Sequence, residues 1–562
     1  MNPRRQSETY NMIIAAVFSM LILMYWEYFI EAPRQKAEML ALKAKAHTEE
    51  AQKQAEKEGV IVVKSRPELL KESPRVMIES PNLHGSLALK GLRMDDLTLA
   101  RYRETLQPDS PDVTLFSPAD DTDGYFAEFG WAAPDKTLKV PGPDTIWTAD
   151  NTKLTPEAPV TLSWKNLDGT TFNARITLDE KYLFTVTQSA MGADGKPISL
   201  QTYAYVNRVW DIKKHPALGI LHEGPLGVFD GTLKETPYKK LSEEKDEPFE
   251  ASEGWLGVSD KYWLSAIIPP KTPFTAHFSY YNSRGRDHYQ ADYLNTAAQE
   301  TTLHFFAGAK ELTILDGYAE QYHITLFDRA VDFGMFYFLT KPIFLLLAWL
   351  HTLVGNFGIA ILILTVLVKL LMYPLASKSF ASMNQMKVLQ PRMQEIRERH
   401  KDDKVQMNQA IMELYKREKV NPASGCLPIF IQIPVFFSLY KVLYVSIEMR
   451  HAPFFGWIHD LSAPDPTNLF TLFGLLQWTP PSFLHLGIWP LLMCVTMIVQ
   501  QQQSPPPPDP TQAKMMKVLP FFFLFLFSNV AAGLVIYWTW SNLLTILQQW
   551  HIKRSHGSSK KA

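Results

Sequence analysis

Cysteine is almost missing from this chain. Among 562 residues there are two, Cys426 and Cys494, and both sit inside apolar runs. A disulfide framework is therefore excluded, and cysteine use does not report the compartment. An excess of charge of one sign is missing too. Lys and Arg number 56 against 57 Asp and Glu, for a net charge of −1, so no global basic surface points to nucleic acid. The polar part of the chain contains no HExxH, GxSxG, GxGxxG or P-loop. Its His, Asp and Glu residues show no ligand spacing and read as solvated surface. The apolar part offers no Ser–His or Asp–Asp pair in a context that suits an intramembrane protease. It also lacks the internal repeat frequent in transporters. No enzyme activity, metal or cofactor is expected.

What is present falls into two unlike parts. The chain is too long for one domain, and its mean hydropathy of −0.11 averages a polar stretch, 31–325, with long apolar runs over 330–550. Residues 1–30 carry Arg4 and Arg5, then an apolar run from 11 to 30 that is long enough to span. The run ends in Tyr25, Trp26, Tyr28 and Phe29, an aromatic belt rather than a small-residue cleavage site. It reads as an uncleaved signal anchor with its N-terminus in the cytoplasm. Residues 31–59 form a charged linker without an apolar stripe.

Residues 60–325 read as a β-sandwich. Alternation is plain in Val160-Thr-Leu162-Ser-Trp164 and from Phe172 to Leu178. Further strands are expected at 182–188, 200–207, 262–268, 275–281 and 301–306. Turn signals such as Asp168-Gly169 and Asp230-Gly231 separate them. This domain is expected to bind or scaffold something its sequence does not name.

The apolar half begins with an amphipathic, aromatic segment, 328–356. Lys341-Pro342 interrupts it and leaves 342–354 too short to cross, so it is expected to lie along the outer membrane surface. A span at 357–375 follows. Residues 376–420 hold ten basic and six acidic side chains, which places them in the cytoplasm. Met383, Met386, Leu389, Met393 and Ile396, then Met407, Ile411 and Leu414, recur at helical spacing and predict a two-helix hairpin with an apolar seam. A span at 425–447 contains Pro428, Pro434 and Gln432. The loop 448–484, sparse in basic residues, is expected outside. Spans at 485–502, 513–528 and 531–550 complete the set. The first two are joined by a cytoplasmic loop, 503–512, whose SPPPPDP run is stiff. A basic tail, 551–562, carries Lys553, Arg554, Lys560 and Lys561. The expected architecture is an α-helical polytopic membrane protein of six transmembrane helices, with both termini cytoplasmic, residues 31–356 outside, and a large β domain.

One residue stands out in the apolar half. Lys369 lies well inside FGIAILILTVLVKLLMYPL, 357–375. A charge at mid-membrane costs about 2.5–3.5 kcal/mol on insertion scales and tends to mark a functional path. Snorkelling to the surface is the competing reading. Ser377 is the first clearly polar position after Pro374, eight residues on, or about 12 Å along a helix. A lysine stem covers about half of that. Nearness to the basic hairpin makes cytoplasmic reach and a wet cavity almost one picture. On the residues alone, a polytopic transporter or channel stays open as the alternative.

Several stretches together resemble the YidC family of bacterial membrane protein insertases. They are MYPL at 372–375, LQPRMQEIRERHKDDK at 389–404, EKVNPASGCLPIFIQIPVF at 418–436, WIHDLSAPDP at 457–466 and GLVIYWTWSNLLTILQQ at 533–549. GWLGVSDKYWLSAIIP at 254–269 resembles the family's outer domain more weakly. The resemblance implies a Gram-negative form in the inner membrane: a periplasmic β-supersandwich and five helices forming the insertase core. It implies a hydrophilic groove whose positive charge is Lys369, where arginine is more familiar, with Thr365, Gln432, Tyr537 and Trp538 as further substrate-binding positions. Trp538 often has tyrosine as its counterpart, and 468–484 is longer than the family's loop. The implied partners are nascent membrane proteins, the Sec translocon, the lipid bilayer, and the ribosome at the hairpin and C-terminal tail. No nucleotide cofactor is implied.

Overall fold

The computed structural model describes residues 64–133, 138–215, 221–400, 403–418, 420, 427–476, 485–503 and 510–558. The expected signal anchor and linker lie outside the described residues, as do the hairpin turn at Lys401-Asp402 and most of SPPPPDP. Two compact units part between Asp332 and Phe333.

The first unit is an all-β sandwich. One sheet runs, neighbour to neighbour, through Asp246–Ala251, Phe274–Ser283, Arg286–Asn295, Gln201–Val209, Tyr125–Ala132, Arg93–Arg103, Leu83–Ala88, Arg75–Glu79 and Lys153–Leu154, with Asp112–Phe116 paired beside Arg93–Arg103. The other runs through Thr232–Glu235, Gly224–Phe229, Gly254–Ser259, Trp263–Ile268, Glu300–Ala309, Leu183–Met191, Thr171–Leu178, Val160–Lys165 and Thr148–Ala149. Aromatic rings knit the layers. Phe305 of the second sheet meets Phe129 of the first at 5.5 Å and Phe116 at 6.2 Å between ring centres, and all three are buried. The first pair is edge-to-face and the second stacked, and aromatic pairs of either kind add about 0.5–1.5 kcal/mol beyond area burial.

Strand Thr171–Leu178 buries every second residue, as its alternating sequence requires. Tyr125–Ala132, which the sequence did not flag, is buried along nearly its whole length. Both of its faces are covered, so alternation gives no signal there. Its Glu128, 4% exposed, also breaks the apolar run. That carboxylate is held by Arg93 at 2.6 Å and accepts from Tyr203 Oη at 3.3 Å, the pairing a buried charge needs.

The second unit is helical: α1 Tyr337–Val354, α2 Phe357–Leu371, α3 Tyr373–Arg399, α4 Lys404–Arg417, α5 Leu427–Val445, α6 Ile488–Gln503, α7 Pro510–Leu526 and α8 Ala532–Ser558. Lys341-Pro342 does not interrupt α1. The 18-residue helix carries Pro342 inside it, where the missing N–H costs one hydrogen bond without ending the helix. Among the described residues α1 is the one helix that by itself has the length and apolar content to cross a membrane, and α2 with α3 qualifies as a bent pair.

Asn356 starts α2, its Oδ1 accepting from Ile359 N at 3.1 Å. The axis then bends by 63° into α3. Pro374, near the start of α3, supplies no N–H to the preceding turn. The hairpin seam forms between α3 and α4. Leu389, Met393, Leu414, Tyr415 and Val420 are buried there, with Met386, Ile396 and Ile411 against them. Met383 instead packs with Tyr373 against Ala376, Phe380 and Ile552, so the far end of α8 backs the start of α3. A short 3-10 turn, Phe527–Asn529, joins α7 to α8.

Candidate functional site

Lys369 occupies the last turn of α2, just before the bend. Its ammonium donates to Thr545 Oγ1 of α8 at 3.0 Å. Thr545 in turn donates to Ser541 O at 2.8 Å, so the single hydroxyl proton is spent on the helix and a lone pair is left for the lysine. Gln548 Nε2 donates to the main-chain carbonyl of Lys369 at 3.2 Å. Carbonyls of a final helical turn lack helical partners, and in an apolar medium each unsatisfied group costs several kcal/mol. One helix, α8, therefore holds both the side chain and the backbone of Lys369. Lys369 is half-buried, and it makes no ion pair among the described residues.

A second polar contact lies at the other end of the same stripe. Gln432 of α5 donates its amide to Tyr537 Oη of α8, and Tyr537 is 2% exposed. Tyr537, Ser541, Thr545 and Gln548 follow one another at helical spacing, so a polar stripe climbs one face of α8. Tyr537 and Thr545 are about 12 Å apart along the axis. Trp538 points elsewhere. Its ring meets Phe436 of α5 edge-on at 4.8 Å and Phe527 at 5.1 Å, with Phe523 of α7 at 5.7 Å. Thr365 is 1% exposed and donates to Ile361 O of its own helix at 2.6 Å. Of the five expected positions, Gln432 and Tyr537 touch each other, Lys369 meets the same helix further along, Trp538 joins an aromatic cluster, and Thr365 is closed onto α2.

Sequence reasoning missed Ser541, Thr545 and Gln548, and also Asn542, whose Nδ2 donates to Thr496 Oγ1 of α6 at 3.2 Å. The available signal was the repeat of polar residues at 537, 541, 545 and 548 within an apolar span.

The loop that follows α5 carries a third constellation. Asp465 is 1% exposed. Its Oδ1 accepts from Trp457 Nε1 at 3.1 Å, Thr467 N at 3.0 Å and Thr467 Oγ1 at 2.7 Å, while Oδ2 accepts from Trp489 N at 2.9 Å. Trp489 lies in the first turn of α6, so the carboxylate caps that helix and meets the positive end of its dipole. A Cβ on Gly487 would stand 2.8 Å from this carboxylate, too close to fit. Ala463 O and Leu461 O accept from Ala532 N and Gly533 N at 2.7 and 3.0 Å, so the same loop also ties the start of α8. Among the described residues no cluster of His, Cys, Asp and Glu suits a metal ion.

Comparison with known proteins bears on both units. A family described as 60Kd inner membrane protein matches residues 349–560, and one described as YidC periplasmic domain matches residues 75–346. The membrane protein insertase YidC of Rickettsia bellii (strain OSU 85-389) is 48% identical over 556 residues, covering 97% of this chain and 98% of that protein. Its counterpart in Rickettsia rickettsii (strain Sheila Smith) is 48% identical over 558 residues, covering 97% and 99%. A crystal structure of an active YidC insertase with the first transmembrane domain resolved aligns with 85% of this chain and 92% of its own, at 17% identity and a TM-score of 0.35.

Proposed function

The chain belongs to the YidC family of membrane protein insertases, whose members insert proteins rather than catalyse reactions, and from that premise we propose that it inserts and helps fold nascent membrane proteins in a bacterial inner membrane. In this reading the chain crosses six times, five crossings build the core, both termini are cytoplasmic and the β sandwich is periplasmic. The stripe from Gln432–Tyr537 to Lys369–Thr545 lines a hydrophilic groove open to the cytoplasm. The single observation that carries the proposal is the state of Lys369: a cation in the last turn of an apolar helix whose side chain is held by a neutral hydroxyl. A neutral partner is readily exchanged for a carboxylate, which adds the attraction of an opposite charge to the hydrogen bond.

Insertion must lower the cost of drawing a polar flank and its backbone through an apolar slab. A wet groove shortens the dry distance, and Lys369 attracts acidic residues of the passing flank. The apolar segment then leaves into lipid along α5 and α7, driven by about 25 cal/mol per Å² of apolar surface removed from water. The membrane potential adds about 2.3 kcal/mol per charge per 100 mV. The Sec translocon, and a ribosome docked at the α3–α4 hairpin and basic tail, are the proposed partners.

The test is photo-crosslinking to a stalled nascent chain from probes at positions 365, 432 and 538 in the full chain. Contacts at 432 and 538 are expected. Contact at 365 is expected only if the groove opens, because Thr365 is buried. No contact at any of the three overturns the groove.

A further inference from the structure

Between Asp465 and α6 the sequence carries no Asp, Glu, Lys or Arg. From Pro466 to Gly487 the one histidine is His485. Segments facing water normally carry charge. This one instead turns apolar side chains outward. Within Leu469–Leu476, Leu472 is 49% exposed, Leu475 82% and Leu476 48%, and nearby in the loop Phe455 is 60% exposed.

The backbone of the segment is unusually well closed for a loop. Asn468 Oδ1 accepts from Phe470 N at 3.0 Å, and Leu469 N donates to Leu486 O at 2.8 Å. Leu475 N and Leu476 N donate to Leu472 O and Thr471 O at 3.3 and 3.0 Å. Thr471 Oγ1 donates to Asn468 O at 3.0 Å. Internal satisfaction of this kind is what an apolar medium demands and water does not.

The height of the segment is also fixed. Thr467 Oγ1 accepts from Ile488 N at 3.0 Å, and Asp465 Oδ2 holds Trp489 N. The segment therefore stands at the N-terminal mouth of α6. In the six-crossing arrangement proposed above, on which this inference rests, that mouth is at the outer boundary of the bilayer.

We propose that Leu469–Leu476 is a lipid-binding segment that lies in the headgroup–acyl boundary of the outer leaflet. Its occupant is the lipid itself. Uncharged sequence, outward apolar side chains, a closed backbone and a fixed position at a helix mouth together fit an interfacial element. Being tied to Asp465, it anchors the outer closure of the helical unit to the membrane surface.

The experiment uses the full chain with Cys426→Ser and Cys494→Ser, reconstituted in phosphatidylethanolamine–phosphatidylglycerol vesicles. A nitrobenzoxadiazole label is placed on Leu475→Cys, and in a second preparation on Leu476→Cys. Leu167→Cys, at a position 94% exposed in the β sandwich, is the aqueous standard, and Val495→Cys, 56% exposed on α6, reports the span. The expected result at 475 and 476 is blue-shifted emission, quenching by lipid bearing a shallow nitroxide, and protection from iodide. Emission and iodide quenching equal to those at 167 overturn the proposal. So does a dry label that nitroxide lipid fails to quench, which would assign the surface to a protein partner or a second copy. A dry label at 495 with wet labels at 475 and 476 removes the lipid segment alone. A wet label at 495 removes the crossing arrangement itself.

Discussion

Gln548 gives its side-chain amide to the main-chain carbonyl of Lys369, 3.2 Å away, at the point where α2 turns through 63° into α3. Three residues earlier on the same helix, Thr545 takes the Lys369 ammonium. Slightly further along, Ile552 packs with Ala376 and Phe380 of α3. The end of α8 thus acts as a splint across the bend, and the direction of the lysine depends on it.

Removing the amide should loosen the splint. Gln548→Leu keeps bulk and loses the donor. Side-chain hydrogen bonds between membrane helices are worth about 0.6 kcal/mol on average and about 1.7 at most, so the variant should fold with the bend less well defined. Spin labels at positions 367 and 388 flank the bend, and both positions are exposed. Their distance distribution should broaden in Gln548→Leu and stay narrow in Gln548→Glu at low pH, where the protonated acid can still donate. Identical distributions in all three proteins would show that the amide does not hold the bend.

The charge at position 369 should matter more than its shape. Lys369→Arg keeps the cation and adds donors in a planar fork, and insertion should proceed. Lys369→Ala and Lys369→Glu should impair substrates with acidic translocated flanks more than those with neutral flanks. Reconstituted insertion of paired substrates that differ only in the flank reads this directly. Equal insertion of both substrates by both damaging variants would remove the electrostatic role.

How legible the protein was depended on whether a signal was local. Strand Thr171–Leu178 announced itself by alternation, while Tyr125–Ala132 did not, because a strand covered on both faces loses its period. Lys369 was visible as a lone charge in an apolar run. Its partners were not, since choosing Thr545 and Gln548 among the polar residues of 531–550 requires knowing which face of α8 meets α2. Thr365 shows the converse: the resemblance implied a groove position, but a threonine inside a helix can satisfy itself on the preceding turn, and this one does. Lys341-Pro342 read as an interruption because the start of α1 at Tyr337 was not visible in sequence.

Asp465 should behave as a structural keystone of the loop between α5 and α6. Both of its oxygens accept, and an asparagine has one acceptor oxygen and would turn its amide toward a donor. Asp465→Asn should therefore destabilise the helical unit by about 1.5–3 kcal/mol, the range for hydrogen bonds to a charged group. Thermal unfolding in detergent, followed by helical circular dichroism, checks this. A midpoint unchanged from the parent would mean that α6 is capped without the carboxylate.

Lys310 makes the β sandwich sensitive to alkaline pH. It is 1% exposed, and its Nζ donates to Ser259 Oγ at 3.0 Å. Burial pushes its pKa down from 10.5 to about 8, against the opposing pull of Asp260 and Glu223. Between those two values the unfolded chain binds more protons than the folded one, so stability rises with pH across that window and is flat below it. A shift of this size corresponds to about 3 kcal/mol in all. The unfolding midpoint of the β signal in the detergent-solubilised full chain should climb as pH is raised from about 8 toward 10.5. In Lys310→Met this slope should vanish, since no proton is left to release at that site. A parent protein whose midpoint falls steadily over the window while Lys310→Met follows the same curve would show that the ammonium reaches solvent and carries no burial penalty.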